Sequence, residues 1–199
     1  MKKRNLKMIR SMRRSTINTG QWYKSMLVGN SSIVGAYELI STAFGTGSSG
    51  VIDFTSIPSD YRHLQIRFTA KNSSTATQIN LTMNGITTAS YARHTLQGSG
   101  GVESSTNAIN QTSIPLTGSM ASSAGVGVAS GGVIDILDYT SSSKNTTIRA
   151  LYGQIINSNL VYLASGALFN TAAINRITLT ASANNFDAIS RFSLYGIRG

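Results

Sequence analysis

The sequence predicts an all-β protein: an antiparallel β-sandwich, jelly-roll-like in type, preceded by a basic N-terminal arm. Three observations carry that prediction. From about Ala36 onward, apolar and polar residues alternate with the period of two that half-buried strands require. Clusters of Gly, Ser, Asn and Asp separate short segments at roughly even spacing, as in sandwiches and jelly rolls. Helical periodicity is almost absent, and the 199 residues suit one domain with a substantial core.

Ten segments have the strand pattern, and two of them show it most clearly. In "YRHLQIRFTAK" the residues Leu64, Ile66 and Phe68 share one face, whereas Arg67 lies on the other. The segment "QINLTMNG" repeats the alternation and ends in Asn84–Gly85, a pair that favours a tight turn. The remaining predicted strands are "AYELISTA", "VIDFTS", "SYARHTL", "VIDILDY", "TIRALYGQ", "LVYLASGALF", "INRITLTAS" and "RFSLYGI".

The connections are less regular. Pro58 and Pro115 are expected in connections, where a missing backbone donor matters least. The stretch 98–132 is rich in Gly, Ser, Ala and Asn. It is expected to be a long loop or a weakly paired edge. No internal repeat is present.

Charge divides the chain into two parts, an arm over residues 1–35 and a body over residues 36–199. The formal net charge is +10, although only 12% of residues are charged. Residues 1–24 hold eight Lys or Arg and no acidic residue, whereas the rest holds nine basic and seven acidic side chains, a net +2. A weak apolar stripe predicts at most a short helix in the arm. The polar "STINTGQWYK" after the basic run argues against an export signal, and no apolar run is long enough for a transmembrane helix.

The residues that would carry catalysis or metal binding are sparse. The chain has no cysteine, and its two histidines, His63 and His94, lie 31 residues apart without companion ligands. Asp135 and Asp138 are separated by an odd number of positions, so on one strand they face opposite sides. The segment "GVGVASGG" lacks both the last glycine and the following helix of a phosphate-binding loop. We therefore expect no enzyme, no metal site and no cofactor.

A low-charge surface rich in Ser, Thr and Asn, with eight tyrosines, suits two uses. Carbohydrate-binding sandwiches display aromatic rings to sugars, and virion proteins pack side by side where few charges need to be desolvated. Most of the tyrosines are expected at the edge of the core with their hydroxyls in water. Asp135, Asp138 and Tyr139 are expected to belong to a structural strand.

Several segments, taken in order, resemble a known family. They are "YELIST…GVIDFTSIPSDYRHLQIRF", "LTMNG…SYARHTLQGSGG", "GGVIDILDYTSSSKNTTIRALYG" and the closing "NTAAINRITLTASANNFDAISRFSLYGI". Their order resembles a β-sandwich domain of tailed-bacteriophage structural proteins, found in capsid-decorating, fibre and minor tail components. The resemblance covers about residues 36–198. It implies a non-enzymatic virion part, made in the bacterial host cytoplasm, that is usually a symmetric homo-oligomer and often a trimer.

The arm lies outside the resemblance, and the residues suggest several roles for it. In the first, it anchors the protein to capsid, portal or tail components, because Trp and Arg are the residue types most enriched at interface hot spots. The residues assigned to that interface are Arg4, Lys7, Arg10, Arg13, Arg14 and Trp22. In the second, the chain is a small-virus coat protein whose arm binds packaged nucleic acid. A carbohydrate-binding module and a solubilising tail are further alternatives. Contact with host surface glycans is compatible with the first, and no membrane partner is expected.

Overall fold

The computed structural model describes residues 36–74, 77–121, 127–154 and 159–199. The predicted arm, with its short helix, lies outside the described residues. Residues 36–199 form one compact unit. Its twelve strands are β1 (Tyr37–Phe44), β2 (Val51–Phe54), β3 (His63–Ala70), β4 (Thr77–Met83), β5 (Tyr91–Ser99), β6 (Val102–Gln111), β7 (Ile114–Met120), β8 (Ser130–Leu137), β9 (Thr146–Gln154), β10 (Leu160–Leu168), β11 (Ile177–Ala181) and β12 (Arg191–Ile197).

The strands form two antiparallel sheets, which confirms the predicted β-sandwich. The larger sheet has the order β1-β12-β3-β8-β9-β10-β5-β6, and the smaller has the order β2-β11-β4-β7. Early strands pair with late ones: β1 with β12, β2 with β11, β3 with β8 and β4 with β7. Successive pairs alternate between the sheets, which is the winding of a jelly roll.

Two hairpins are inserted into this eight-stranded frame. Strands β5 and β6 lie between β4 and β7 along the chain, and β9 and β10 lie between β8 and β11. Both hairpins join the larger sheet, where β8 pairs with β9 and β10 pairs with β5. Gly100 and Gly101 close the β5–β6 hairpin with φ of +56° and +95°, a conformation that glycine adopts without strain. The larger sheet therefore extends beyond the smaller one, with β6 at its edge.

The core lies between the two sheets. Alternate residues of β3, β4, β9 and β11 are buried, as the period-two pattern predicted. Aromatic rings pack within it: Phe68 stacks with Phe192 at 5.9 Å, and Tyr152 stacks with Tyr162 at 5.1 Å. The Tyr61 ring packs directly on Gly196, where a Cβ would lie 2.3 Å from the ring. These side chains belong to the larger sheet or to the segment just before β3, and they lie in one buried cluster with Leu81 and Leu179 of the smaller sheet.

All ten predicted strands are present, but two expectations about the connections are wrong. The stretch 98–132 is not a long loop, since it contains β6, β7 and the start of β8. The alternative expectation, that this stretch forms a sheet edge, is confirmed for β6, which is the last strand of the larger sheet. Pro58 lies in a connection, whereas Pro115 lies in β7 opposite Asn80. A proline is tolerated there because β7 is an edge strand of the smaller sheet and needs only one row of backbone hydrogen bonds.

The tyrosine expectation is also wrong for most of the described tyrosines. Five are buried: Tyr61, Tyr91, Tyr139, Tyr152 and Tyr162. The Tyr91 hydroxyl accepts a hydrogen bond from the Met83 N–H at 2.9 Å and donates to the Ile86 carbonyl at 2.9 Å. The Tyr139 hydroxyl donates to the Pro58 carbonyl. The hydroxyls of Tyr91 and Tyr139 thus serve as internal hydrogen-bonding groups, whereas the buried Tyr152 hydroxyl has no hydrogen-bond partner among the described residues. Burial raises the pKa of each of the five tyrosines.

Candidate interaction face

The outer face of the larger sheet is the broadest surface that the fold builds. The register places outward-pointing residues of neighbouring strands side by side, so rows of side chains cross the sheet. One row joins Arg67 of β3, Val133 of β8 and Leu151 of β9, and it continues through Leu163 of β10 to Leu96 of β5. This row changes along its length from cationic to apolar. The two halves are chemically distinct surfaces.

The first half is an arginine–tyrosine cluster, formed by Arg67, Arg191, Tyr37, Tyr195 and Phe44. The guanidinium carbon of Arg67 lies 5.1 Å from the centre of the Tyr37 ring and 5.2 Å from that of Tyr195. The guanidinium carbon of Arg191 lies 5.9 Å from the centre of the Phe44 ring. These distances are those of cation–π contacts. Strands β1, β3 and β12 bring these five residues together.

A polar network runs beside this row, from Gln65 of β3 through Asp135 of β8 to Arg149 of β9. The Arg67 Nε donates to the Gln65 side-chain oxygen at 2.8 Å, and the Gln65 Nε2 donates to the Asp135 carboxylate at 2.7 Å. Arg149 donates to the other oxygen of Asp135 at 2.9 Å. Both oxygens of Asp135 are therefore engaged, and the nearly buried Gln65 holds the Arg67 side chain in place.

The second half is a leucine strip, defined by Leu96, Leu151 and Leu163. Leu163 lies directly opposite both of the others, and the three side chains are 51–54% exposed. Val161, two residues before Leu163 on β10 and on the same face, is 54% exposed as well. Because its members are adjacent in the sheet, this row is a candidate interaction surface.

The strip adjoins an uncovered edge strand. Strand β6 is ten residues long, pairs only with β5, and has side chains that are exposed on both faces. Its sequence, VESSTNAINQ, contains no Lys or Pro, the residues that usually protect an edge from pairing with another chain. A register shift occurs near Ala92, but residues 102–108 face β5 without interruption. This stretch presents a regular row of backbone donors and acceptors.

A separate cluster surrounds Asp138 just beyond the end of β8. Its carboxylate is 3.3 Å from Arg62 and 3.5 Å from His63, and it accepts a hydrogen bond from Lys144. Hydrogen bonding from Lys144 lowers the pKa of the Asp138 carboxyl below its ordinary value, although burial opposes it. The Asp138 backbone N–H donates to the His63 Nδ1 at 2.9 Å. The cluster fixes a turn with φ of +45° at Asp138.

The residues assigned from sequence are distributed as follows. The predicted anchoring residues lie outside the described residues: Arg4, Lys7, Arg10, Arg13, Arg14 and Trp22. His63 and His94 lie on separate strands, β3 and β5. Asp135 faces outward on β8, as expected of a structural strand, whereas Asp138 and Tyr139 lie in the turn after it, so the expectation of a strand is wrong for these two. Over 36–74, 77–121, 127–154 and 159–199, no three His, Cys, Asp or Glu side chains are grouped as metal ligands would be. In the same ranges, no helix is long and apolar enough to cross a membrane.

Sequence reasoning identified part of this face and missed the rest. Alternation in "YRHLQIRFTAK" placed Arg67 on the outer side, which the structure confirms. The same alternation in "RFSLYGI" would have placed Arg191 and Tyr195 outward as well. The leucine strip carries no such signal, because its members lie on three strands whose adjacency depends on the two inserted hairpins.

Comparisons with known proteins leave the family open. No protein-family model matches the sequence, and no curated protein matches it. Among solved structures, a protein of unknown function from Shewanella oneidensis MR-1 is similar at 9% identity. That alignment covers 82% of this chain and 76% of the other, with a TM-score of 0.24. A likeness at that level carries no argument about function.

Proposed function

We propose that this chain is a non-enzymatic structural component of a bacteriophage virion, a capsid decoration or a fibre or appendage protein. It assembles as a homo-oligomer through the outer face of its larger sheet and attaches to other virion proteins through residues 1–35. It is made in the cytoplasm of the bacterial host and resides in the virion.

The observation that carries this proposal is the leucine strip beside an uncovered edge strand. Three half-exposed leucines and the regularly paired stretch 102–108 of β6 form one continuous region of β5, β6, β9 and β10. A second copy supplies matching chemistry, because an antiparallel strand pairs with a copy of itself and leucines pack against leucines. Surfaces of this kind suit a protein whose apolar face and strand edge are covered by neighbouring copies in an assembly. The sequence resemblance to phage structural β-sandwiches supports the same role.

The arm supports attachment to the particle. The body carries little net charge, whereas residues 1–24 carry eight basic side chains, so attraction to acidic surfaces is concentrated at one end of the sequence. The single tryptophan of the chain, Trp22, is in the same segment. Basic side chains steer the encounter with an acidic protein surface, and the tryptophan adds apolar contact area.

A second candidate is a jelly-roll coat protein whose arm binds packaged nucleic acid. The winding of the eight frame strands favours it, since viral capsid domains share that architecture. The two candidates differ in what the arm binds. Binding to nucleic acid weakens steeply with salt because each phosphate contact releases counterions.

Co-sedimentation distinguishes the two candidates. Full-length protein and a chain lacking residues 1–35 are mixed with empty capsids of the encoding phage, or with free DNA or RNA, at low and high salt. The proposal expects that only the full-length protein pellets with empty capsids and that moderate salt preserves the complex. Pelleting with nucleic acid alone, lost steeply as salt rises, would establish the coat-protein candidate instead.

A matched pair of arm variants sharpens the result. Replacing Arg4, Lys7, Arg10, Arg13 and Arg14 by Ala should abolish attachment, while the unfolding curve of the body stays unchanged. Replacing the four arginines by Lys keeps the charge and removes the planar guanidinium groups. Attachment at normal affinity by the Ala variant would show that the arm is not the anchor.

A further inference from the structure

We propose that the arginine–tyrosine cluster binds the carboxylate of an acidic sugar within a polysaccharide. This site is distinct from the leucine strip and does not depend on self-assembly or on the arm. The inference rests on the position of two guanidinium groups, on the hydroxyls around them and on the local balance of charge.

The Arg67 side chain is preorganised, because its neighbours fix the guanidinium group before any ligand binds. Its Nε is engaged by Gln65 at 2.8 Å, and its guanidinium carbon lies within 5.2 Å of the centres of the Tyr37 and Tyr195 rings. Over the described ranges its two terminal nitrogens make no hydrogen bond or ion pair. A guanidinium fixed through Nε and through ring contacts loses little freedom when its terminal nitrogens bind a carboxylate.

Arg191 supplies a second cation to the same concavity. Arg67 lies opposite Ser193 and Arg191 lies opposite Thr69, so the two arginines are diagonal neighbours across β3 and β12. Both line a concavity of about 240 Å³, together with Ser193, Thr69 and Tyr195. Within the part of the chain that the structure describes, Arg191 has no ion-pair partner.

The local charge balance favours an anion. Arg149, Arg176 and Arg198 each have a carboxylate within 3 Å. Arg67 and Arg191 have none at ion-pair distance within the described residues, and the carboxylate of Asp135 is engaged by Gln65 and Arg149. Two neighbouring cations without a counterion are satisfied by a planar oxyanion, which a guanidinium binds through two parallel hydrogen bonds.

The surroundings favour a sugar acid over other anionic polymers. Thr69, Ser193 and Tyr195 line the concavity. The Ser193 hydroxyl is buried and bonded to the Thr42 hydroxyl at 3.0 Å, which leaves the hydroxyls of Thr69 and Tyr195 to bond ring hydroxyls. The volume is below the roughly 300–1,000 Å³ of pockets for drug-sized ligands, which suits one sugar ring. Nucleic-acid grooves need aromatic faces for base stacking, but the Tyr37 and Tyr195 rings are already engaged by Arg67.

The test uses the full-length chain and four probes: trigalacturonate, the neutral maltotriose, an oligothymidylate and inorganic phosphate. Binding is measured by calorimetry and by NMR shifts for wild type and for the Arg67→Gln/Arg191→Gln double variant. The matched control is Arg62→Gln/Lys144→Gln, which removes two positive charges from side chains that are 63% and 57% exposed beside Asp138. The arm is present in every protein, so its attraction for anions cancels in the comparison.

The proposal expects trigalacturonate to bind and maltotriose not to. The site double variant should weaken binding by about tenfold or more per arginine, whereas the control double variant should change it by less than about threefold. Arg67→Lys should give an intermediate loss, because it keeps the charge and loses the fork. Three outcomes would overturn the proposal: equal weakening in both double variants, equal binding of the neutral sugar, or response to oligothymidylate or phosphate alone. Unfolding curves of all variants verify that each is folded.

Discussion

Replacing Leu163 by Lys should disrupt self-association, because this residue is the centre of the leucine strip. It lies opposite Leu96 on one side and Leu151 on the other. The three side chains are 52%, 51% and 54% exposed for Leu96, Leu151 and Leu163 respectively. Burying a whole leucine is worth about 1.5–3 kcal/mol, so covering the exposed half of each contributes about 1 kcal/mol. One strip therefore supplies about 3 kcal/mol of association free energy, and two facing strips supply about 6 kcal/mol.

The lysine removes about 1 kcal/mol of apolar burial from each copy. It also brings a charge into the contact, which costs at least about 1 kcal/mol more per copy where no partner pairs with it. The change counts twice in a symmetric contact, so association weakens by about 4 kcal/mol, or about a thousandfold. Sedimentation equilibrium over a concentration series measures this directly. The milder Leu163→Ser should fall between the lysine variant and wild type.

Val51→Lys is the matched control. Val51 is 49% exposed but belongs to β2, at the edge of the smaller sheet. The same charge added there should leave the association constant within about threefold of wild type. A Leu163→Lys chain that associates as wild type does would refute the assignment of this face. So would equal weakening by Val51→Lys, or a wild-type chain that stays monomeric throughout the series.

Three further predictions concern stability. Tyr91→Phe leaves the Met83 N–H without its acceptor and should lower the free energy of unfolding in urea by about 1–3 kcal/mol. The control Tyr37→Phe, at a residue that is 49% exposed, should lower it by less than about 0.5 kcal/mol. Gly196→Ala brings a Cβ to 2.3 Å from the Tyr61 ring and should cost about 1–3 kcal/mol, less in a Tyr61→Ala background. The third concerns alkaline pH. Burial gives Tyr152 and Tyr91 folded-state pKa values above the unfolded value of about 10. Their contribution to the free energy of unfolding is therefore complete below about pH 10 and is lost as the pH rises through the folded-state pKa values. Unfolding midpoints that stay flat between about pH 9 and 12 would contradict it.

Much of the fold follows from the alternation of apolar residues, and the two strands that sequence reasoning missed show where that signal ends. Strand β6 is exposed on both faces, so nothing requires its residues to alternate. Strand β7 contains Pro115 and Gly118, which usually end strands, yet it is largely buried. The Tyr162 ring lies over Gly118, which has φ of +70°. Both strands depend on tertiary contacts that a local pattern does not contain.

The candidate site was less accessible from sequence than the fold. Arg67 and Arg191 are neighbours only because β12 returns to pair with β3, and Tyr37 joins them only because β1 pairs with β12. Residue spacing gives no indication of that arrangement. The outward orientation of each residue could be predicted, but the assembly of a cationic group with aromatic neighbours required the strand order.

The inserted hairpins explain how one sandwich can carry two unlike surfaces. The eight frame strands alone would end the larger sheet at β8, and the arginine–tyrosine cluster on β1, β3 and β12 would be complete. The β9–β10 and β5–β6 hairpins add four strands beyond that point, and all three leucines of the strip lie on them. Each surface thus draws its residues from a different part of the topology, although Arg67 and Leu151 are separated by only one strand. Substitutions in the strip should therefore alter assembly without reaching the arginines, and the converse should hold. That independence allows a chain to bind its own copies through one half of a sheet and an external polymer through the other.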